Sequence, residues 1–140
     1  MGKLKEIVQD FREIDEDFRL DLLLDYSEKL PPLPMELHSK IRHQQYRVSE
    51  CQTPVYLEIT SENNHLKIQV DVPSESPTIR GIISLLVIAL NGCSLKNLEE
   101  IPVDLLHRLG LANRIGSLRF QGINAIIHRL RREIKQLNQQ

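Results

Sequence analysis

Residues 54–72, PVYLEITSENNHLKIQVDV, decide the fold. Val55, Leu57 and Ile59 alternate with Tyr56, Glu58 and Thr60. Leu66, Ile68, Val70 and Val72 alternate with Lys67, Gln69 and Asp71. Each run has the two-residue period of a strand with one buried face. Ser61-Glu62-Asn63-Asn64 between them is a turn rich in residues that tolerate positive φ. The stretch therefore predicts a small antiparallel sheet with helices over one face.

Just before the first strand lies Arg47–Val55, RVSECQTPV. Gln45–Val48 reads as a further short strand. Cys51, one of two cysteines, sits among Ser49, Glu50, Gln52 and Thr53, which do not read as core. A thiol in that setting is placed to react. Arg42, His43 and Arg47 are near enough in sequence to favour a thiolate, while Glu50 opposes it by like charge.

On the N-terminal side, Leu4, Ile7, Val8, Phe11, Ile14 and Phe18 recur at helical spacing, and Leu22, Leu23, Tyr26 and Leu30 extend or follow that helix. Pro31-Pro32 stops it. LPPLP at 30–34 reads as an ordered turn in preference to a polyproline ligand. Met35–His43 reads as one helical turn and then loop. On the C-terminal side, Ser76-Pro77 is a hydroxyl N-cap followed by proline. Ile79, Ile82, Ile83, Leu85, Leu86, Val87 and Leu90 surround the helix that follows, which makes it the buried centre. Asn91-Gly92 ends it. Ser94 and Asp104 can each cap a short helix, and Gly110 ends the second. A last helix runs from Ser117 to about Leu137, with Gln136–Gln140 expected to fray. Gly122 in its first turns costs about 1 kcal/mol relative to alanine, which points to close approach of another element.

Composition narrows the function classes. The chain has 140 residues, 41% apolar and 26% charged, with a net charge of −1, and is read as one domain over 1–140. Tryptophan is absent and aromatics make up 4%, which disfavours a base-stacking surface; no basic block suggests nucleic acid. The acid-rich residues 10–25 and the basic residues 129–135 read as two solvated helix faces. MGKLKEIVQDF has no apolar core of a signal peptide, and Ile82–Leu90 is too short for a bilayer. The chain is therefore expected to be cytoplasmic, with reduced thiols. Cys51, Cys93, His38, His43, His65, His107 and His128 show no close metal-ligand spacing. His43 or His107 could serve Cys51 as a base, but no hydrolase signature is present. GxGxxG and GxxxxGK[ST] are absent. Arg119, with Gln121-Gly122, opens the last helix, where the helix dipole disfavours a cation; its charge calls for a partner.

Taken together, LPPLP at 30–34, VSECQTPVYL at 48–57, PSESPTIRGIISLLV at 73–87 and LGLANRIGSLRFQGINAIIHRLRREI at 109–134 resemble the SufE family of sulfur acceptors. The likeness spans about residues 5–135. It implies an α+β, SufE/IscU-like fold, with a three-stranded antiparallel sheet packed by helices on one face and a long C-terminal helix. It implies that Cys51 accepts persulfide sulfur from a pyridoxal-phosphate cysteine desulfurase (SufS-like), stimulates that enzyme, and passes the sulfur to an iron–sulfur cluster assembly scaffold. Gln52 then belongs to the loop, and Glu75 and Arg119 to the partner-binding surface. The loop is expected to shelter Cys51 in the free protein. The chain would be no stand-alone enzyme, would need no cofactor or metal of its own, would bind neither nucleic acid nor membrane, and would be a monomer or weak dimer. Where the family's commoner loop is GCQS, Glu50-Cys51-Gln52-Thr53 stands here. The other reading is a non-transferring interaction module that docks to a desulfurase or scaffold through Glu75, Arg119 and the acidic first helix.

Overall fold

The computed structural model describes residues 2–139; Met1 and Gln140, at the outer ends of the stretches read for a signal peptide and for fraying, lie outside the described residues. Six helices are described: α1 (Lys3–Glu13), α2 (Arg19–Ser27), α3 (His38–Ile41), α4 (Pro77–Leu90), α5 (Leu105–Arg108) and α6 (Ser117–Asn138). They pack with one antiparallel pair, β1 (Tyr56–Glu62) and β2 (His65–Asp71).

The hairpin register runs from Tyr56 opposite Asp71 to Glu62 opposite His65. Asn63 and Asn64 are the two loop residues, with φ of 55° and 64°. That is the mirror-image turn whose twist matches the strands it joins. Leu57 and Ile59 on β1 and Leu66, Ile68 and Val70 on β2 are buried, so the alternation in sequence is the alternation of faces.

The sheet has two strands where three are implied by the resemblance. Gln44–Tyr46 forms a 3₁₀ turn whose bonds are local, with Tyr46 N donating to the His43 carbonyl. What remains of the third strand is a bridge at Arg47 and Tyr56, with Val48 N donating to the Val55 carbonyl at 2.9 Å. Cys51 N then turns back onto the Val48 carbonyl. A chain that curls on both sides of Arg47–Val48 cannot continue a ladder. The far edge of β2 is covered by the turn after α4, where Leu66 exchanges main-chain bonds with Cys93 and Gly92.

α4 is the buried centre. Ile79, Ile82, Ile83, Leu85, Leu86, Ala89 and Leu90 are all buried, and each large apolar side chain contributes roughly 1.5–3 kcal/mol on leaving water. α2 crosses it so closely that a Cβ on Gly81 would stand 2.5 Å from the Leu23 carbonyl oxygen. Arg80 donates to the carbonyls of Ser27 and Val72, at 3.0 and 2.9 Å, tying the ends of α2 and β2 to the first turn of α4.

Other elements depart from the sequence reading in detail. The first amphipathic stretch breaks after Glu13, beside the Asp15–Asp17 stretch where the sequence allows a break, but Phe18 falls in a 3₁₀ turn at Glu16–Phe18 and is 60% exposed. Ser94 and Asp104 make no side-chain cap; Asp104 pairs with Arg108 instead. α6 stays helical to Asn138, past the point where fraying is expected. The N-terminus of α1 is capped from a distance: the Glu99 carboxylate accepts from Leu4 N and Lys5 N, both at 2.8 Å.

Half of the basic run near the end of the chain is engaged within the protein, while Arg132 and Lys135 are exposed. Arg129 holds Glu133 and two main-chain carbonyls, and Arg131 reaches Glu100 and the Ile101 carbonyl. The solvated face that its composition suggests is kept by Arg132 and Lys135 and not by Arg129 and Arg131.

Candidate functional site

Cys51 is 2% exposed and belongs to the hydrophobic core, whereas Ser49, Glu50, Gln52 and Pro54 around it are exposed. The turn explains the contrast. Val48 N and the Val55 carbonyl pinch the loop at its stem, and the bond from Cys51 N to the Val48 carbonyl turns this one side chain inward. The expectation of a non-core cysteine, drawn from its neighbours, is thus corrected; the expectation of a loop that shelters its thiol is met. On the inner side the sulfur lies against α6 at Gly122, where a Cβ would stand 2.9 Å from Cys51 Sγ. The close approach predicted for this glycine is to Cys51 itself.

On the outer side, Cys51 is one wall of a cleft of about 500 Å³. Gln52, Glu75 and Arg119 line the same cleft. All four site residues picked from sequence, from three separate stretches of the chain, therefore meet at one place. Arg119 is exposed, and among the described residues no ion pair or hydrogen bond engages it. Leu118 beside it is 64% exposed.

Two further residues, absent from the sequence reading of the site, belong to it. Thr53 and Ser76 face each other across the cleft with hydroxyl oxygens 3.4 Å apart. Ser76 makes no cap bond to α4; its hydroxyl meets the Cys51 loop. A hydroxyl two positions from Cys51 was the available signal for Thr53, and the long-range pairing with Ser76 had none.

The electrostatics pull in two directions. Burial pushes the Cys51 thiol up from its ordinary pKa; bonds from the Thr53 backbone and side chain, and the charge of Arg47, act the other way without reversing it. The like-charge effect expected of Glu50 is not among the causes. Arg42 is taken up by an ion pair with Asp71 and is not the thiolate's partner. In the cleft itself the first turns of both α4 and α6 converge, and neither has a side-chain cap. Their free amides and the aligned peptide dipoles favour negative charge there.

No histidine lines the cleft. His107 packs edge-on against Phe120 at 5.8 Å. A Cys–His nucleophile pair, left open by the sequence, is therefore not assembled here. Among the described residues no three His, Cys, Asp or Glu side chains gather as a metal site, and no helix is long and apolar enough to cross a membrane.

The SufE family model, described as an Fe-S metabolism associated domain, matches residues 5–134. The chain belongs to the SufE family. Among SufE-like relatives, a protein of Mycobacterium tuberculosis (strain H37Rv) is 34% identical over 134 residues, which is 95% of this chain and 92% of that one. The sulfur acceptor protein CsdE of Escherichia coli K12 is 30% identical over 106 residues, 74% of this chain and 68% of CsdE. The solution structure of a hypothetical protein from Thermus thermophilus superposes with a TM-score of 0.79 at 29% identity, covering 100% of both chains. The mixed helix-and-hairpin fold with a long C-terminal helix is thus shared with a solved structure.

Proposed function

We propose that this SufE-family chain carries sulfur as a persulfide on Cys51. The observation that carries the reading is the Cys51 thiol set in the wall of the cleft that Gln52, Glu75 and Arg119 also line. The donor is a pyridoxal-phosphate cysteine desulfurase holding a persulfide on its own cysteine. The Cys51 thiolate attacks the outer sulfur of that persulfide. A new S–S bond forms at Cys51, the S–S bond to the desulfurase cysteine breaks, and the electron pair leaves on the desulfurase thiolate. The outer sulfur keeps its proton, so Cys51–S⁻ and R–S–SH become Cys51–S–SH and R–S⁻. Thiolate fraction and access set the rate, as in thiol–disulfide exchange.

In this reading the sulfur has two positions, of which the structure holds the first. Against Gly122, out of water, the neutral thiol is favoured. Moved into the cleft, the sulfur meets the first turns of α4 and α6 and the cation of Arg119, which favour the thiolate and the persulfide anion. Docking of the desulfurase, with Glu75, Arg119 and Gln52 at the contact, is what draws the loop out. Relief of the persulfide speeds the desulfurase, and an iron–sulfur assembly scaffold receives the sulfur. In this reading the chain is a one-domain cytoplasmic partner protein, free as a monomer or weak dimer, and not a stand-alone enzyme.

The test is intact-protein mass spectrometry after incubation with a desulfurase, pyridoxal phosphate and free cysteine. A gain of one sulfur, absent in Cys51→Ser and reversed by dithiothreitol, is expected. No gain beside a desulfurase that loads another acceptor rejects transfer from that enzyme. Full stimulation of the desulfurase by Cys51→Ser would favour the docking module instead.

A further inference from the structure

α6 carries a glycine that its own backbone does not need. Gly122 lies within a regular helix, and its φ is not among the positive values, which are confined to Gly92, Gly110 and Gly116 among the glycines. Glycine is the poorest helix former after proline. The three atoms nearest to a Cβ built at this position are Sγ, Cβ and Cα of Cys51, at 2.9, 3.6 and 3.7 Å. Only the sulfur distance is shorter than an ordinary contact. The other helix-interior glycine, Gly81, meets a main-chain oxygen of α2 and is a packing glycine between helices. Gly122 makes room for one sulfur atom.

The bonds inside the loop are few and local: Cys51 N donates to the Val48 carbonyl at 3.2 Å and Val55 N to the Thr53 carbonyl at 2.8 Å. Arg129, on the same helix two turns further on, holds the carbonyls of Gln45 and Arg47. The Val48–Val55 bond closes the stem. Beyond that stem, Ser49, Glu50, Gln52 and Pro54 are exposed, and the side chain held deepest is Cys51. The position of the sulfur can therefore change while the sheet and α6 stay as they are.

We infer that Gly122 is the seat of the Cys51 sulfur, a positioning residue that keeps the acceptor thiol retracted by omitting the one atom that would push it into the cleft. Gly122→Ala narrows the seat and drives the loop outward. The sulfur then leaves the buried environment that keeps it protonated, and it reaches the region of the two helix N-termini. The inference deepens the sulfur-acceptor reading and rests on it for its meaning in transfer.

The experiment is alkylation of Cys51 by iodoacetamide, followed by mass spectrometry of the Cys51 peptide across pH, in wild type and Gly122→Ala. Thermal unfolding of Gly122→Ala is compared in the wild-type and Cys51→Ala backgrounds. Gly122→Ala is expected to move the pH midpoint of alkylation down and to speed reaction at neutral pH, about tenfold for each unit moved. With Cys51 replaced by alanine the clash is gone, so Gly122→Ala is expected to raise the melting temperature there and not in the wild type. An unchanged rate and midpoint in a folded Gly122→Ala protein overturn the inference. So does an equal loss of melting temperature in both backgrounds. If Gly122→Ala alone does not fold, the double variant decides: rescue supports the seat, and no rescue rejects it. Iodoacetamide needs no desulfurase, so a wild type that takes up no sulfur yet shows the Gly122→Ala effect counts against the acceptor role alone.

Discussion

The Arg129 guanidinium donates to the main-chain carbonyl of Arg47, 2.9 Å away. The contact joins the long C-terminal helix to the stem of the Cys51 loop, 82 residues earlier in the chain. A second bond to the Gln45 carbonyl and an ion pair with Glu133 complete the clamp, on a side chain only 16% exposed. Arg129→Ala leaves two carbonyls without this donor. It is expected to lower stability by about 2 kcal/mol and to raise amide exchange at Arg47 and Val48 above that of β2, as read by denaturant titration and hydrogen exchange. A loss below about 0.5 kcal/mol would mean that the loop stem holds itself.

Arg119 behaves differently, because it is exposed and unengaged among the described residues. Arg119→Glu is expected to leave stability within about 0.5 kcal/mol of wild type. It should nevertheless slow persulfide loading by the desulfurase, with most of the loss in the apparent KM for the acceptor, since a charge at the contact governs encounter. Stopped sulfur uptake with an unchanged KM would move Arg119 from the docking surface to the transfer step.

The hairpin was legible because its burial is local: Leu57, Ile59, Leu66, Ile68 and Val70 alternate in sequence as they do in space. So was α4, whose apolar residues surround it, and the meaning of Gly122, a poor helix former in a good helix. That the expected third strand does not form was not legible, since Gln44–Tyr46 prefer bonds within their own turn. Phe18 fitted the spacing of a helix that the chain leaves after Glu13. Cys51 read as surface because its neighbours are; a tight turn buries one side chain of a polar loop. The roles of Arg129, Glu99 and Ser76 depend on partners 23 to 95 positions away, and spacing alone does not reveal such pairings.

Burial also makes Cys51 a source of pH dependence. An unfolded cysteine titrates near about 8.5, and burial holds the native thiol above that. Between the two values the native state keeps a proton that the unfolded chain has lost. The contribution to stability is therefore complete below about pH 8.5 and is lost as pH rises through the native value. Cys51→Ser has no group titrating there. Denaturant titrations from about pH 7 to about pH 10 should show wild type losing stability relative to Cys51→Ser as the solution becomes alkaline. A constant difference between the two would mean that the thiol is not shielded in the native state.

Ser84 gives the last prediction. Its hydroxyl oxygen is fully buried in α4 and, among the described residues, has no hydrogen-bond partner. A buried polar group in that state costs about 1–3 kcal/mol, and serine is a weaker helix former than alanine. Ser84→Ala removes both penalties and leaves a gap of only one oxygen atom. The variant is expected to be more stable than wild type by about 1 kcal/mol, while alkylation of Cys51 stays unchanged, because Ser84 does not line the cleft. A loss of stability on denaturant titration would show that the hydroxyl has a partner, such as an internal water, and that α4 is packed around it.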